Sequence, residues 1–192
     1  MADDPDSPSD SSPISSSKSP TTLSDAGIKY FASSVDAASC KPIIEWILEE
    51  NLRGRHERLT LIISSYGGDA HACFAVCDAL IGSKIPVDTV GLGYIASAGF
   101  IIFIHGAKRT LTNNTYSMSH QFTSFNWAKY HELVADRKVQ DWLKERFIQM
   151  YLDRSGGKLT RDTVEKVLLG PSDTFLTAQE VVDYGLADSI KL

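Results

Sequence analysis

The segment Gly91-Leu-Gly-Tyr-Ile-Ala-Ser97-Ala-Gly-Phe-Ile-Ile-Phe-Ile-His105 decides the fold, because it joins a predicted strand to a predicted helix. The residues before it, Ile85 to Val90, are largely β-branched, although Pro86 and Asp88 interrupt them, and they predict a buried strand. After Ser97 the chain is apolar over the length of a helix. Ser97 is therefore expected at a crowded strand-to-helix turn, beside N–H groups that have no partner within the helix.

Ser97 has two interpretations at such a turn. Serine is a common N-cap, and for an isolated serine capping is the better explanation. Acyl-transfer chemistry also requires a nucleophile in this setting, with N–H donors facing the oxyanion that forms. The choice between the two depends on the remainder of the chain.

The same strand-turn-helix order occurs just before this segment. Leu59 to Ser64 is almost continuously apolar, as in a strand covered on both faces, and it leads into Gly67-Gly68. An amphipathic helix follows, with Asp69 as a candidate cap and Gly82 as its end. Repeated β-α units of this kind predict an α/β fold with a parallel sheet and right-handed crossovers.

Weaker signals place the remaining elements. A helix with Ser39 as its cap and Pro42 in its first turn is expected after the first strand. Pro171 to Leu176 is expected to be an extended connector. Further strands are expected over residues 28–33, 108–112, 115–119 and 186–190, and shorter helices over 161–169 and 177–185.

The longest predicted helix, roughly Trp127 to Leu152, exceeds the ~11–12 residues of a mean helix. Its apolar residues cover more than one narrow stripe. It therefore either packs across its own domain or is covered by another subunit, and the pattern alone leaves both open.

The negative charge is concentrated at the start of the chain. Of a net charge of −5 over 192 residues, −4 falls in residues 1–26, which are rich in Ser, Asp and Pro and are expected to be a disordered tail or a removable leader. Residues 27–192 predict one nearly neutral domain without a basic stripe, which argues against nucleic-acid binding. No apolar run reaches the ~20 residues of a membrane span, and the N-terminus lacks the order of a signal peptide.

The three cysteines fit a reducing compartment such as the cytoplasm better than a disulfide scaffold. Cys73 and Cys77 are one helical turn apart, a spacing that suits a shared metal. No second pair of ligands accompanies them, so core packing is the better interpretation. We expect neither a metal nor a cofactor.

An activated serine needs a base within hydrogen-bond reach and a carboxylate that orients that base. His120 is expected at the end of a strand, where a parallel sheet places the groups that face its active crevice. Among the aspartates, Asp173 lies in a loop that leaves it free to point inward. The other histidines are expected in solvent or within helices, namely His56 and His131 in solvent, and His71 and His105 in helices.

Gly67-Gly68 lies between a strand end and a helix start, where backbone N–H groups face an anion, either a phosphate or an oxyanion. The chain has neither GxGxxG nor GxxxxGK[ST], which favours the oxyanion. It also lacks the GxSxG elbow of α/β-hydrolases, because Ile95 occupies the position of the first glycine.

Five short segments stand in order along the chain: Ile63-Ser-Ser-Tyr-Gly-Gly68, Gly93-Tyr-Ile-Ala-Ser97-Ala-Gly99, Met118-Ser-His120-Gln121, Asp173-Thr-Phe-Leu-Thr-Ala178 and Tyr184-Gly-Leu-Ala-Asp188. They are similar to INSPGG, GQAASMG, MIHQP, D-x-F-(L/M)-(S/T)-A and YGL-(I/V)-D of the ClpP family. From Ile28 onward the chain thus resembles the proteolytic subunits of Clp proteases, which are serine peptidases of the fold shared with crotonases. Each segment is weak alone, whereas five in order at compatible spacings are highly specific.

The resemblance implies a role for each site residue. Ser97 would be the nucleophile, His120 the general base and then the general acid, and Asp173 the orienting carboxylate. The N–H groups of Gly68 and Ala98 would form the oxyanion hole. An extended peptide would pair between the Gly67-Gly68 edge and residues 121–126. The expected substrate-binding residues are Gly67, Gly68, Gln121, Phe122 and Thr123.

The resemblance also implies an assembly. In the family, the helix after the histidine joins two seven-membered rings around a chamber, so we expect the helix at 127–152 to be an interface in a tetradecamer that hydrolyses unfolded polypeptides. A Clp unfoldase of the AAA+ class would be the implied partner. Three features depart from the family pattern: Tyr66 replaces a proline, Thr123-Ser-Phe-Asn-Trp127 replaces a glycine-rich strand, and residues 1–26 stand where the unfoldase-docking segment belongs. The last departure weakens the case for that partner.

Other functions share some of these features. A crotonase-type acyl-CoA enzyme uses the same oxyanion turn, but such hydratases transfer protons with glutamates, and no Glu occurs between Glu57 and Glu132. A catalytically silent ring subunit is disfavoured by the complete Ser-His-Asp set. General proteolysis and capsid maturation are both compatible with the sequence.

Overall fold

The computed structural model describes residues 22–123 and 129–191. Within the predicted N-terminal tail, residues 22–26 belong to this part and contain a 3₁₀ turn at Ser24–Ala26. Residues 1–21 and Trp127 lie outside the described residues, so what we expect of them stays a prediction.

Strands and helices alternate along the described residues. The strands are β1 Ile28–Phe31, β2 Leu59–Ser65, β3 Val87–Ala96, β4 Arg109–Thr112, β5 Tyr116–Ser119, β6 Thr174–Thr177 and β7 Ser189–Lys191. The helices are α1 Ala37–Arg53, α2 Ala70–Gly82, α3 Ala98–Ile104, α4 Tyr130–Arg154, α5 Arg161–Thr163, which continues into a π-helical turn at Val164–Leu168, and α6 Ala178–Asp183.

One mostly parallel sheet carries the fold, which confirms the predicted α/β class. Its order is β1-β2-β3-β4-β7, and these neighbours are all parallel. β5 pairs in parallel with the far half of β3 and antiparallel with β6, so the expected connector at 171–176 ends as a paired strand. In β2, buried residues alternate with partly exposed ones, so the expectation that both of its faces are covered is wrong.

A bulge in β3 divides the sheet just before Ser97. Ile63 of β2 pairs with Gly91 and Ser65 pairs with Ile95, so β3 has two more residues than β2 over this stretch. Gly93 lies within it at φ 63°, a left-handed conformation that glycine adopts without a steric penalty. The first half of β3 therefore pairs with β4, and the second half ends beside β5.

The start of α1 differs from the prediction. Asp36 caps this helix, because its carboxylate accepts the Ser39 N–H at 2.8 Å while the Ser39 hydroxyl accepts the Asp36 N–H at 3.1 Å. The expectation that Ser39 is the cap is therefore wrong: Ser39 is the third helical residue of a capping box. Pro42 accordingly lies in the second turn and not in the first.

The two halves of α4 have different surroundings. Phe147, Ile148, Met150 and Tyr151 near its C-terminal end are buried in the core of this domain. The apolar residues nearer its start are exposed, namely Tyr130, Leu133, Val134, Val139 and Trp142. The part of α4 that the domain leaves uncovered is thus its N-terminal half. No helix among the described residues combines the length and apolar character needed to cross a membrane.

Candidate active site

Ser97 and His120 are in hydrogen-bond contact, with 2.8 Å between Ser97 Oγ and His120 Nε2. Ser97 follows β3 and His120 follows β5, and in these parallel neighbours Ala96 stands opposite Met118. The Ser97 N–H also donates to the Met118 carbonyl at 2.8 Å. The two side chains meet because the carboxyl ends of adjacent parallel strands lie at one edge of the sheet.

The backbone of Ser97 is strained. Its φ of 52° and ψ of −126° make it the one residue other than glycine with positive φ in the described ranges. Such conformations cost about 1–3 kcal/mol and concentrate at functional sites. The Ser97 hydroxyl makes no capping hydrogen bond to α3, so the interpretation of Ser97 as only an N-cap is wrong.

The bend at Gly67-Gly68 is shaped by close backbone contacts. Gly67 has φ 92°, and a Cβ there would lie 2.7 Å from both the Ala96 carbonyl oxygen and Ser97 Cβ. Gly68 has φ 150°, and a Cβ there would overlap the Val35 carbonyl oxygen. Only glycine fits at either position, and the bend consequently lies directly against the Ser97 turn.

Hydrogen bonds hold this bend from both sides. The Val35 N–H donates to the Gly67 carbonyl at 2.8 Å, and the Asp69 N–H donates to the Val35 carbonyl at 2.7 Å. The Gly67 N–H donates to the buried hydroxyl of Ser65 at 3.2 Å. The N–H of Gly68 is left without an acceptor in the part of the chain that the structure describes.

A second N–H group, that of Ala98 at the start of α3, likewise donates to no described residue. Gly68 and Ala98 line the same small cavity as Ser97 and His120. Two free donors beside a serine hydroxyl form the geometry that accepts a negative charge developing next to that oxygen.

Two adjoining spaces surround Ser97. A mainly apolar cavity of about 40 Å³ lies beside it, with further walls from α3, α4 and nearby loops: Ala70, Ile101, Phe122, Phe147, Tyr151 and Leu169. A wider cleft of about 600 Å³ passes over Ser97 and His120. The two spaces share Gly68, Ala70, Ser97, His120 and Phe122, and the cleft is much the larger of the two.

Ser119 anchors the strand end that carries His120. Its hydroxyl donates to the Leu168 carbonyl at 2.6 Å and accepts from the Tyr151 hydroxyl at 2.6 Å. Burial raises the pKa of Tyr151, which keeps that hydroxyl protonated as a donor. Sequence reasoning missed this anchor. The available signal was a serine at a strand position that alternation assigns to the core.

Asp173 is near this pair but does not contact it. Ser119 pairs with Thr174 in the antiparallel β5–β6 ladder, so continuing the register sets Asp173 opposite His120. The Asp173 side chain is exposed, and among the described residues no hydrogen bond joins it to His120. The structure thus joins two members of the predicted set and places the third beside them.

The expected substrate-binding residues fall mostly in the cleft. Gly67, Gly68, Phe122 and Thr123 line it, whereas Gln121 is exposed and lines neither space. Residues 124–126 of the expected pairing segment lie outside the described residues. The cleft also has walls that sequence reasoning did not assign, namely Tyr66, Asp69, His71, Met118 and Leu143.

Two other expectations concern residues outside the site. His56 is not in solvent: its side chain is only 17% exposed, and its Nε2 lies 3.5 Å from the fully buried carboxylate of Glu50.

Cys73 and Cys77 are buried in the core with their sulfurs 4.0 Å apart, and burial raises the pKa of the Cys73 thiol. Within residues 22–123 and 129–191, no group of three or more His, Cys, Asp or Glu side chains is placed to hold a metal ion.

Ser97 Oγ bonds to the His120 imidazole at a strained strand-to-helix turn, beside two N–H donors that have no acceptor in the described ranges. These features are typical of hydrolytic sites that act through a serine nucleophile. Comparison with known proteins leads to the same class. The sequence model of the Clp protease family matches residues 15–191. The chain belongs to the Clp protease family.

Individual relatives agree with this assignment. The ATP-dependent Clp protease proteolytic subunit 1 of Chlamydia abortus is 31% identical over 172 residues, which cover 86% of each chain. Proteolytic subunit 2 of Treponema denticola is 30% identical over 155 residues, covering 78% of this chain and 74% of the relative. A solved structure of a ClpP1 mutant from Listeria monocytogenes has a TM-score of 0.77 at 23% identity, over 88% of this chain and 93% of that one, which supports the fold. The family and the fold support a Clp-like serine peptidase and do not favour an acyl-CoA enzyme.

Proposed function

We propose that this protein is a serine endopeptidase that hydrolyses unfolded polypeptides or peptides through an acyl-enzyme, with Ser97 as its nucleophile. The observation that carries the proposal is the 2.8 Å hydrogen bond between Ser97 Oγ and His120 Nε2, beside the N–H groups of Gly68 and Ala98, which have no acceptor among the described residues.

His120 would transfer protons in both halves of the reaction. It takes the proton of Ser97 Oγ as this oxygen attacks the scissile carbonyl, and the oxyanion that forms accepts hydrogen bonds from Gly68 and Ala98. His120 then gives the proton to the leaving amine as the C–N bond breaks and the ester with Ser97 forms. Water repeats the sequence on that ester and releases the acid product.

Asp173 would orient the imidazole. The ladder register sets it opposite His120, and its exposed carboxylate would turn toward Nδ1. A carboxylate at Nδ1 fixes the tautomer whose Nε2 accepts the serine proton and stabilises the imidazolium that follows.

The two spaces around Ser97 suggest how a peptide would bind. The cavity lined by Ile101, Phe122 and Phe147 suits an apolar side chain immediately before the scissile bond. An extended backbone would lie in the cleft between the Gly67-Gly68 bend and Thr123, as an added strand. We expect cleavage after Leu or Met side chains in preference to charged ones.

The exposed half of α4 supports an oligomer. Its N-terminal half exposes Tyr130 and Trp142 at 83% and 55%, an apolar surface that a second copy would cover. We propose a homo-oligomer of stacked rings, expected to be a tetradecamer in the cytoplasm. An ATP-driven unfoldase as its partner stays a prediction.

The test compares the wild type with Ser97→Ala on a fluorogenic peptide with Leu before the scissile bond and on a fluorescently labelled unfolded polypeptide. We expect hydrolysis by the wild type, none by Ser97→Ala, and full activity in Ser34→Ala, which removes another exposed serine hydroxyl. Electron microscopy of the same samples reports whether rings are present. Intact rings of the wild type without hydrolysis of either substrate would support the silent-subunit alternative instead.

A further inference from the structure

Four aromatic side chains form a continuous row across the sheet, here called the aromatic ladder: Tyr66, Tyr94, Tyr116 and Phe175. Successive ring centroids are 4.9, 6.4 and 5.7 Å apart. The rings come from the end of β2 and from β3, β5 and β6, which are neighbours at the edge that carries Ser97 and His120. The row therefore begins at the catalytic edge and leads away from it.

The ladder lies on the face of the sheet that the helices leave open. In β3, β5 and β6 the residue after each ladder residue is buried, namely Ile95, Ser117 and Leu176. Successive side chains of a strand point to opposite faces, so the ladder points away from the core. Tyr66, Tyr116 and Phe175 keep 78%, 42% and 50% of their surface exposed. Contiguous exposed aromatic surface of this kind marks a binding surface.

Tyr66 connects the ladder to the cleft. It precedes the Gly67-Gly68 bend and lines the 600 Å³ cleft together with Met118. Neither Tyr66 nor Met118 lines the 40 Å³ cavity, whose deep walls come from α3 and α4. The site thus has two different sides. On the helix side lies an enclosed cavity, and on the other side lies an open aromatic surface, here called the open wall.

The side of the cleft that carries Tyr66 and Met118 suits the leaving half of the substrate, because that half receives its proton from His120. His120 must protonate the leaving amine, and it follows Met118 by two residues at the end of β5. When the side chain before the scissile bond fills the cavity, the residue after that bond is left to the cleft, whose walls outside the cavity include Tyr66 and Met118. Tyr66 is backed by the Tyr94 ring at 4.9 Å, which holds it as a platform.

We propose that Tyr66, supported by Tyr94, forms the subsite for the residue directly after the scissile bond and selects an aromatic side chain there. The inference rests on the proposed peptidase function. Aromatic pairs in offset or edge-to-face contact are stabilised by more than the burial of their area alone, which an aliphatic side chain in the same place would lack. The subsite distinguishes this chain from the family pattern, which has a proline at this position.

The test separates this subsite from the apolar cavity by keeping the acyl half of the substrate constant. An ester substrate with Leu in its acyl part forms one acyl-enzyme, which is then captured by added phenylalaninamide or glycinamide in competition with water. We expect the wild type to prefer phenylalaninamide about 3- to 10-fold, as aromatic pair contacts allow. Tyr66→Phe keeps this ratio, and Tyr66→Ala lowers it to about 1.

Tyr30→Ala is the matched control, since Tyr30 is a half-exposed tyrosine on β1, outside the cleft and the ladder. It should retain both the activity and the ratio of the wild type. An unchanged ratio in Tyr66→Ala, with ester hydrolysis present, would overturn the subsite alone. Loss of oligomer mass in Tyr66→Ala would also overturn it, because the ladder would then be a subunit contact. Absence of any acyl-enzyme in the wild type would overturn the proposed function, and the subsite with it.

Discussion

The two ends of α3 differ in whether their backbone polar groups are hydrogen-bonded. At the C-terminal end, the last four carbonyls all accept hydrogen bonds. Ile101 O accepts from His105 Nδ1 at 2.7 Å, and Ile102 O from the His105 N–H at 3.1 Å. The other two acceptors are Phe103 O, bonded to Thr89 Oγ1 at 2.7 Å, and Ile104 O, bonded to Arg154 Nε at 2.8 Å. At the N-terminal end, the Ala98 N–H donates to no described residue.

The difference separates stability from function within one short helix. An unpaired buried polar group costs about 1–3 kcal/mol, so the complete pairing around Arg154 stabilises the fold. The Ala98 N–H, which has no acceptor among the described residues, lies beside Ser97 at the small cavity, where a substrate oxygen is the acceptor it lacks. Changes at the N-terminal end should therefore affect the rate, and changes at the C-terminal end should affect the free energy of unfolding.

The largest effect is expected at Ser97 itself. Both Ser97→Ala and Ser97→Gly should lower kcat/KM by about 10⁴–10⁶-fold, because the nucleophile is lost. Ser97→Gly should also be more stable than Ser97→Ala by about 1 kcal/mol, since glycine relieves the strain of the 52° φ. Peptide hydrolysis and urea denaturation measure the two quantities. A less stable glycine variant would contradict the assignment of strain.

The next effect concerns the neighbouring bend. Gly67→Ala should lower the rate by about 10²–10³-fold, the range for loss of one oxyanion donor, because its Cβ would push the bend away from Ser97. Gly54→Ala is the matched control: Gly54 also has a left-handed φ, of 60°, but a Cβ there would meet nothing within 4 Å. If both variants lose the same activity, the close contact at Gly67 is unimportant for the rate.

The paired end of α3 should respond in the other way. Arg154→Met leaves the Ile104 and Gly106 carbonyls without the Arg154 donors and should cost about 2 kcal/mol of the free energy of unfolding. The same change at Arg137, whose ion pair with Asp141 is exposed, should cost less than about 0.5 kcal/mol. In both folded proteins kcat/KM should stay within about twofold of the wild type. A large loss of kcat/KM in Arg154→Met would contradict the proposal that the C-terminal end of α3 affects stability and not the rate.

The smallest effect is a pH dependence of the Asp188 ion pair with Arg109, whose guanidinium also donates to the Arg154 carbonyl at 2.6 Å. Burial opposes the charge of Asp188, but hydrogen bonds from Arg109 outweigh it and hold the pKa of that carboxyl below its ordinary 3.8. The stabilisation is therefore present above the unfolded pKa and is lost as the pH falls through the lower folded pKa. The stability difference between the wild type and Asp188→Asn should be constant above about pH 5 and shrink as the pH falls below that value. A difference that grows on acidification would refute the ion pair as its source.

Local patterns in the sequence were sufficient for the fold class and for placing Ser97 and His120 at strand ends, where the structure brings them into contact. The alternation of strand and helix periods places turns, and the carboxyl ends of parallel strands collect reactive side chains. The bulge at Gly93 and the Ser119–Tyr151 anchor were not predictable, because each depends on a partner far along the chain. Even the start of α1 was misassigned: two residues only three positions apart, Asp36 and Ser39, both suit a cap. Asp173 could be placed near the site but not in contact, since ladder register does not determine a side-chain rotamer.

The pairing of Ser97 with His120 is tested most directly by mapping where a fluorophosphonate reacts. Mass spectrometry of digested wild-type protein should locate the adduct on Ser97, and labelling should slow by more than about 100-fold in His120→Ala. Labelling at an unchanged rate is expected in Ser34→Ala. An adduct on a different serine, or equal labelling of Ser97 without the imidazole, would contradict the account.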